Sequence, residues 1–243
     1  MKAFQKLELQ GQCEVVTLCD CDENVLNERV PAFEANAGKK VNTCSDMRYI
    51  MDDKSIDVVG MATPNHWHSL GAIWACQAGK DVYVEKPGSH NVFEGRKVIE
   101  AARKYGRIVQ HGTQNRSSPN IIEGIKKLKE GVIGRVYIAR GIAYKKRQGF
   151  QEINFTPIPR GLNWDMWQGP APYGEYSRER HRGWHLIFDY GNGDLGNQGV
   201  HELDIIRWGL DLKTHPNKVA SIGGIYVDRG AQEYPQVHST MYP

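Results

Sequence analysis

Asp81-Val82-Tyr83-Val84-Glu85-Lys86-Pro87 is the stretch from which the fold can be read. Val82, Tyr83 and Val84 form a short apolar run of the kind that fills a buried strand of a parallel sheet. Proline lacks an N–H and disfavours helical geometry in the residue before it. Lys86 is therefore expected to be extended, at the strand's C-terminal end. In open α/β sheets that edge is where ligands bind. A lysine there can be partly desolvated, and lysine shifts its pKa readily when buried. Taken alone, the tripeptide reads more simply as a surface lysine after an edge strand.

The pattern repeats on both sides. Upstream, Ile56 to Ala62 is strongly apolar and ends in Thr63-Pro64-Asn65-His66-Trp67-His68. A helix is expected from there to Ala78, stopped by Gly79. Before it, Val41 to Cys44 reads as a short strand, and Ser45-Asp46 can cap a helix over Met47 to Met51. Glu14 to Cys19 is a further strand ending at Asp20, followed from about Glu23 by a helix that Pro31 disturbs. Residues 1–9 resemble the end of an amphipathic helix, with Gly11 as its stop. Downstream, Asn91 can cap a helix to Tyr105 that stops at Gly106. Ile108 to His111 is another strand, and Gly112-Thr113-Gln114-Asn115-Arg116 is its exit loop. Alternating strands and helices mean βαβ units and a parallel sheet. Asp20, Thr63 to His68 and Glu85-Lys86 all stand at strand exits, the usual ligand edge.

After Pro119 the pattern changes. Ile121 to Lys129 is an amphipathic helix ended by Gly131, and Arg135 to Lys145 alternates as a strand. Arg147 to Gly193 is irregular and rich in Pro, Gly, Trp and Arg, and so long a loop argues for a function. A helix over Leu195 to Leu210 and a strand over Val219 to Val227 follow. The domain boundary is placed at residue 117, giving domains 1–117 and 118–243. No internal repeat is visible.

With 243 residues, 40% of them apolar and 24% charged, the chain reads as a soluble globular protein. Its net charge of +3 does not suggest nucleic acid as a partner. The densest basic run, Lys145-Lys146-Arg147, reads as solvated surface. No apolar run approaches the roughly 20 residues of a membrane span. The five cysteines are Cys13, Cys19, Cys21, Cys44 and Cys76, an odd number without zinc-type spacing. Cys13, Cys19 and Cys76 sit among apolar residues and read as reduced core fillers, which favours a cytoplasmic setting.

Three motifs together resemble the Gfo/Idh/MocA oxidoreductases, which include glucose-fructose oxidoreductase and inositol dehydrogenase. They are Ala62-Thr63-Pro64-Asn65-His66-Trp67-His68, Tyr83-Val84-Glu85-Lys86-Pro87 and Gly196-Asn197-Gln198-Gly199-Val200-His201-Glu202-Leu203-Asp204. Asn163-Trp164-Asp165-Met166-Trp167-Gln168-Gly169-Pro170 and Asp189-Tyr190-Gly191-Asn192-Gly193 point to a bacterial subgroup. The resemblance implies an α/β fold: a Rossmann-type parallel sheet binding NAD(P), then an α+β domain with an open, mostly antiparallel sheet. It implies that this second domain carries the substrate face and the contacts of a homo-oligomer. Family members begin with a strand and a Gly-rich turn and continue past the equivalent of Pro243. The chain is therefore expected to be an internal fragment of a longer enzyme, inactive by itself.

For the site, the resemblance implies a ribose contact at Asp20, whose plainer role is a helix cap, with Asp22 as competitor. Thr63, Pro64, Asn65, His68, Glu85, Lys86 and Gln114 are expected to line the cofactor: NAD, with NADP as the alternative. Lys86 and His201 are the expected catalytic pair, donating to the reacting hydroxyl and relaying its proton. Arg160, Trp164, Arg182, Tyr190, Asn197 and Asp204 are expected to contact a sugar, since aromatic faces and charged forks suit one. No metal site is expected. Where family dehydrogenases usually carry Asp, this chain has Asn197, which can position a hydroxyl but not take its proton. The implied activity is hydride transfer between a secondary alcohol of a sugar or glycoside and nicotinamide. The alternatives are a redox-neutral glycosidase working by transient oxidation and elimination, and a non-catalytic sugar or nucleotide sensor.

Overall fold

The computed structural model describes residues 2–144, 149–227 and 229–243. The basic run Lys145-Lys146-Arg147 lies outside them. The first half alternates as expected: α1 (Lys2–Leu9), β1 (Thr17–Cys19), α2 (Glu23–Ala37), β2 (Asn42–Cys44), α3 (Met47–Asp52), β3 (Val58–Met61), α4 (Asn65–Gln77), β4 (Asp81–Val84), α5 (Val92–Tyr105) and β5 (Val109–His111). β1 and β2 pair in parallel, Thr17 opposite Asn42 and Cys19 opposite Cys44. β3, β4 and β5 form a second parallel group, with Met61 opposite Val84 and Val84 opposite His111. β4 is central in this group, and its inward residues Val82 and Val84 are each 2% exposed. They pack with Val59 and Met61 of β3, Ala72, Ala75 and Cys76 of α4, and Val98 and Ala101 of α5.

Local capping chemistry fixes the helix starts. Asp22, Asp46 and Asn91 each accept a backbone N–H from the first turn of the helix they precede. α2 runs straight through Pro31, whose position is exposed, so the carbonyl deprived of its donor faces water. The strand expected from Glu14 begins only at Thr17, because the amide of Val15 donates to the Glu8 carboxylate of α1. Cys13 is exposed, contrary to its reading as a core filler, while Cys76 is buried.

In the second half, α6 (Pro119–Lys129), α7 (Trp164–Gln168) and α8 (Arg178–Arg182) are followed by a π turn, Leu195–Gly199. That turn leads into α9 (Val200–Gly209). β6 (Ala220–Gly224) and β7 (Val237–Met241) pair antiparallel, Ala220 opposite Met241. β7 has the exposed–half-buried alternation of a strand solvated on one side. The strand expected over Arg135 to Lys145 does not form within its described part. Tyr137 and Tyr144 are 91% and 92% exposed. An alternating segment becomes a strand only when a neighbour supplies the ladder, and none of the described strands lies beside it.

Candidate active site

The exits of β1, β3, β4 and β5 present Asp20, Thr63, Glu85-Lys86 and His111-Gly112, and α9 stands over the last two. Lys86 Nζ donates to the side-chain oxygen of Asn197 at 2.6 Å and to its backbone carbonyl at 2.8 Å. Asn197 lies in the π turn, whose wide winding offers both oxygens to the lysine; such turns are frequent at functional sites. His201, one turn on, is 7% exposed, and its Nδ1 is buried without a hydrogen-bond partner among the described residues. Glu85 accepts the Lys86 amide at 3.3 Å. Burial first, and then the Glu85 charge, push the Tyr83 hydroxyl above its ordinary pKa.

A cavity of about 420 Å³ opens beside this group. Pro87, Ser89, His111 and Thr113 form one wall. Asn192, Val200, Leu203 and Asp204 form the other. Lys86, Asn197 and His201 each neighbour in sequence a residue on these walls or beside them: Pro87, Gly196 and Val200.

At the far end, Asp20 is not the cap of α2. Asp22 holds that role, and Asp20 accepts the Asp22 amide at 2.9 Å. Burial raises the Asp20 pKa, opposed by that hydrogen bond and by the charge of Arg182. Segment 160–163 closes over this end. Asn24 donates to the Arg160 carbonyl at 2.8 Å, and the Asn163 amide donates to Cys21 at 2.9 Å. Arg160 and Arg182, expected at the sugar, therefore stand beside the Asp20 end instead.

Other expected contacts are occupied within the fold. His68 is 1% exposed, with Nδ1 2.5 Å from the Pro87 carbonyl and Nε2 2.8 Å from that of Thr63. It braces two strand exits and leaves neither nitrogen for a cofactor. Asn65 donates to Asn192 at 2.9 Å, and Asn192 donates to the His90 carbonyl at 2.7 Å. Asp204 takes a two-pronged pair from Arg116, both contacts 2.8 Å, and Arg116 stacks over Trp208. It is a clamp between the β5 exit and α9, although it also lines the cavity. Trp164 and Tyr190 are 3% and 0% exposed. They pack with Trp167 and Tyr176 rather than forming a sugar wall, because large apolar faces gain more by covering one another. Gln114 is exposed at the head of a short 3-10 turn. Arg116, Asn192 and His111 escaped the sequence reading. His111 shared with Asp20 and Lys86 a position at the polar exit of a strand, the one signal that could have found it.

Comparison with known proteins gives the family. The Gfo/Idh/MocA model described as an oxidoreductase family with an NAD-binding Rossmann fold matches residues 3–113. The model of its C-terminal alpha/beta domain matches residues 120–234. This chain belongs to the Gfo/Idh/MocA oxidoreductases. It is 35% identical over 187 residues to levoglucosan dehydrogenase of Pseudarthrobacter phenanthrenivorans, a match covering 76% of this chain and 41% of that protein. Levoglucosan dehydrogenase in complex with NADH and levoglucosan superposes with a TM-score of 0.61 at 24% identity, over 94% of this chain and 54% of that one. The WlbA dehydrogenase of Bordetella pertussis, in complex with NADH and UDP-GlcNAcA, gives 0.62 at 22% identity, over 92% and 54%. The chain thus spans about half the length of these relatives. As a family member it carries the NAD-binding Rossmann sheet, and its exits fit such a ligand. Asp20 is released from capping, and the Thr63 hydroxyl is buried at the β3 exit without a hydrogen-bond partner among the described residues. The Gly-x-Gly-x-x-Gly run in the sequence, Gly191 to Gly196, lies in the second half and follows none of the strands of the parallel sheet, so it is not the pyrophosphate turn of that sheet.

Proposed function

We propose that the protein is an NAD-dependent oxidoreductase of carbohydrate secondary alcohols, in which Lys86 and His201 manage the hydroxyl proton. The observation that carries this reading is the placement of the Lys86 ammonium on Asn197 at a strand exit, one turn from a buried imidazole whose Nδ1 has no hydrogen-bond partner among the described residues. Bound nicotinamide supplies the two-electron chemistry. Asp20 would hold the adenosine ribose, and Thr63 with the β3 exit would hold the middle of the dinucleotide. Glu85 orients the Lys86 backbone through its amide. Lys86 donates to the reacting oxygen, so that charge developing there meets an ammonium already in position. His201 takes or returns the proton within the buried pocket. Residues 1–117 act as the cofactor half and 118–243 as the substrate half. Sugars and cyclic polyols suit the cavity, whose wall mixes hydroxyl, amide and imidazole groups with Pro87, Val200 and Leu203. The relative named for levoglucosan supports the same reading.

Lys86→Ala, made in the whole protein, tests the assignment. NADH absorbance is followed with levoglucosan, inositols and simple glucosides as substrates. kcat should fall by about 10²-fold or more, the scale of general acid–base catalysis, with the circular dichroism spectrum unchanged. A folded variant with near-normal kcat returns Lys86 to a surface role.

A further inference from the structure

The mechanism above uses one imidazole, yet a second stands at the same cavity. His111 is the last residue of β5 and pairs in register with Val84, two residues before Lys86. Its ring lines the cavity, and its Nε2 is buried without a hydrogen-bond partner among the described residues. The ring lies against Gly88, where an added Cβ would come within 3.2 Å of its Cδ2. A glycine at 88 therefore gives the ring its room. Buried polar atoms are seldom left unpaired, and an exception asks for a missing partner.

The groups around it limit what that partner can be. Burial lowers the His111 pKa, with His68 and His201 acting the same way and Asp204 and Glu85 against. The ring is thus neutral near pH 7, with one N–H and one lone pair. A neutral imidazole beside the Ser89 and Thr113 hydroxyls and the Asn192 amide suits an uncharged group that both donates and accepts. Asp204 on the same wall is already neutralised by Arg116, and Arg207, the cavity's other charged lining residue, is turned to the Thr214 and Leu212 carbonyls, so the polar groups nearest the ring are uncharged. A hydroxyl meets these conditions.

We infer that His111 Nε2 binds a substrate hydroxyl next to the one oxidised, so that the enzyme requires a free vicinal diol. The inference rests on the oxidoreductase reading and narrows its substrate class. His111 makes a binding contact and takes no part in proton removal.

The test uses levoglucosan, methyl β-D-glucoside and myo-inositol, with mono-deoxy analogues of whichever the wild type oxidises. His111→Ala should raise KM for the parent sugar about tenfold, the scale of one net hydrogen bond, with a smaller change in kcat. One deoxy analogue should show that same loss in the wild type and no further loss in His111→Ala. His111→Gln, which keeps a nitrogen donor, should recover part of it. Independently of variant folding, the His111 Hε1 resonance of the wild type, assigned through His111→Gln, should move on adding the probe. A loss equal across all analogues, a loss confined to KM for NAD, or a resonance unmoved while the wild type turns over overturns the inference alone. A wild type that oxidises none of the probes and shows no shift overturns it together with the oxidoreductase reading. A shift without turnover supports the diol site while that reading fails.

Discussion

Lys86 and Asn197 are 111 positions apart in sequence and 2.6 Å apart in space. The carboxamide can accept the lysine's proton contact but adds no charge. Asn197→Asp would place an anion against the ammonium and favour its charged form. Lys86 works in its charged form, as donor to the reacting oxygen, so the alkaline limb of the kcat–pH profile should move to higher pH. NADH formation on the plateau should also rise, because the carboxylate adds a base beside His201. An unmoved profile would remove position 197 from the proton path. At the other end of the sheet, Asp20→Ala should weaken NAD and relax rejection of NADP, measured as the ratio of the two kcat/KM values. An unchanged ratio would leave Asp20 as a partner of the Asp22 amide only. The sequence drew attention to Lys86, Asn197 and His201 because each lies in a motif with helical or strand-exit spacing. It could not show that Arg116 would claim Asp204, or that Asn192 would claim Asn65. Those are choices between polar partners remote in sequence, and any free donor satisfies the local rules equally well.

The element that ties the halves together is the N-terminus of α4. The His66 amide donates to Tyr190, and Trp67 Nε1 donates to the Trp167 carbonyl at 3.0 Å. The Trp67 ring lies where α7 ends, so close that a Cβ on Gly169 would fall 2.0 Å from it. Gly169 also has φ +48°, in the left-handed region. Gly169→Ala should therefore cost about 2–4 kcal/mol, from overpacking and backbone strain together. A shift in urea midpoint worth less than about 1 kcal/mol would show that the Trp67 ring gives way freely. Elements of the first half were legible because strand, turn and cap signals are local, from Asp46 and Asn91 to the apolar run before Lys86. Arg135 to Tyr144 misled because its alternation is local while a ladder is not. The Trp-rich stretch misled in the opposite sense: Trp164 and Tyr190 have the chemistry of a sugar wall but the burial of a core.

Across the whole molecule, the seam between the halves is lined by buried imidazoles. Both ring nitrogens of His66 face carbonyl oxygens of the second half, Tyr190 at 3.3 Å and Trp167 at 3.0 Å. Those carbonyls favour a charged ring, yet burial outweighs them and lowers its pKa to about 4. His181, packed on Trp164 and Trp167, is likewise lowered to about 4, by burial and then by Arg182. In the unfolded chain both return to about 6.5. Between pH 6.5 and 4 the unfolded state then binds more protons than the folded one, so stability falls as pH drops through that window. It is fully present above 6.5, and the loss levels off below 4. For His66 the depression corresponds to about 3 kcal/mol across the window. The expected signature is a urea midpoint that declines steadily from pH 6.5 to 4 and a His66→Gln variant with a shallower decline, whatever its absolute stability. A variant whose midpoint follows pH as steeply as the wild type would mean that His66 titrates normally in the fold. The acid sensitivity of the seam would then lie elsewhere, His181 being the next group to replace. Because the cavity beside Lys86 is bounded by both halves, activity should be lost over the same pH window as the seam loosens, before the parallel sheet itself unfolds.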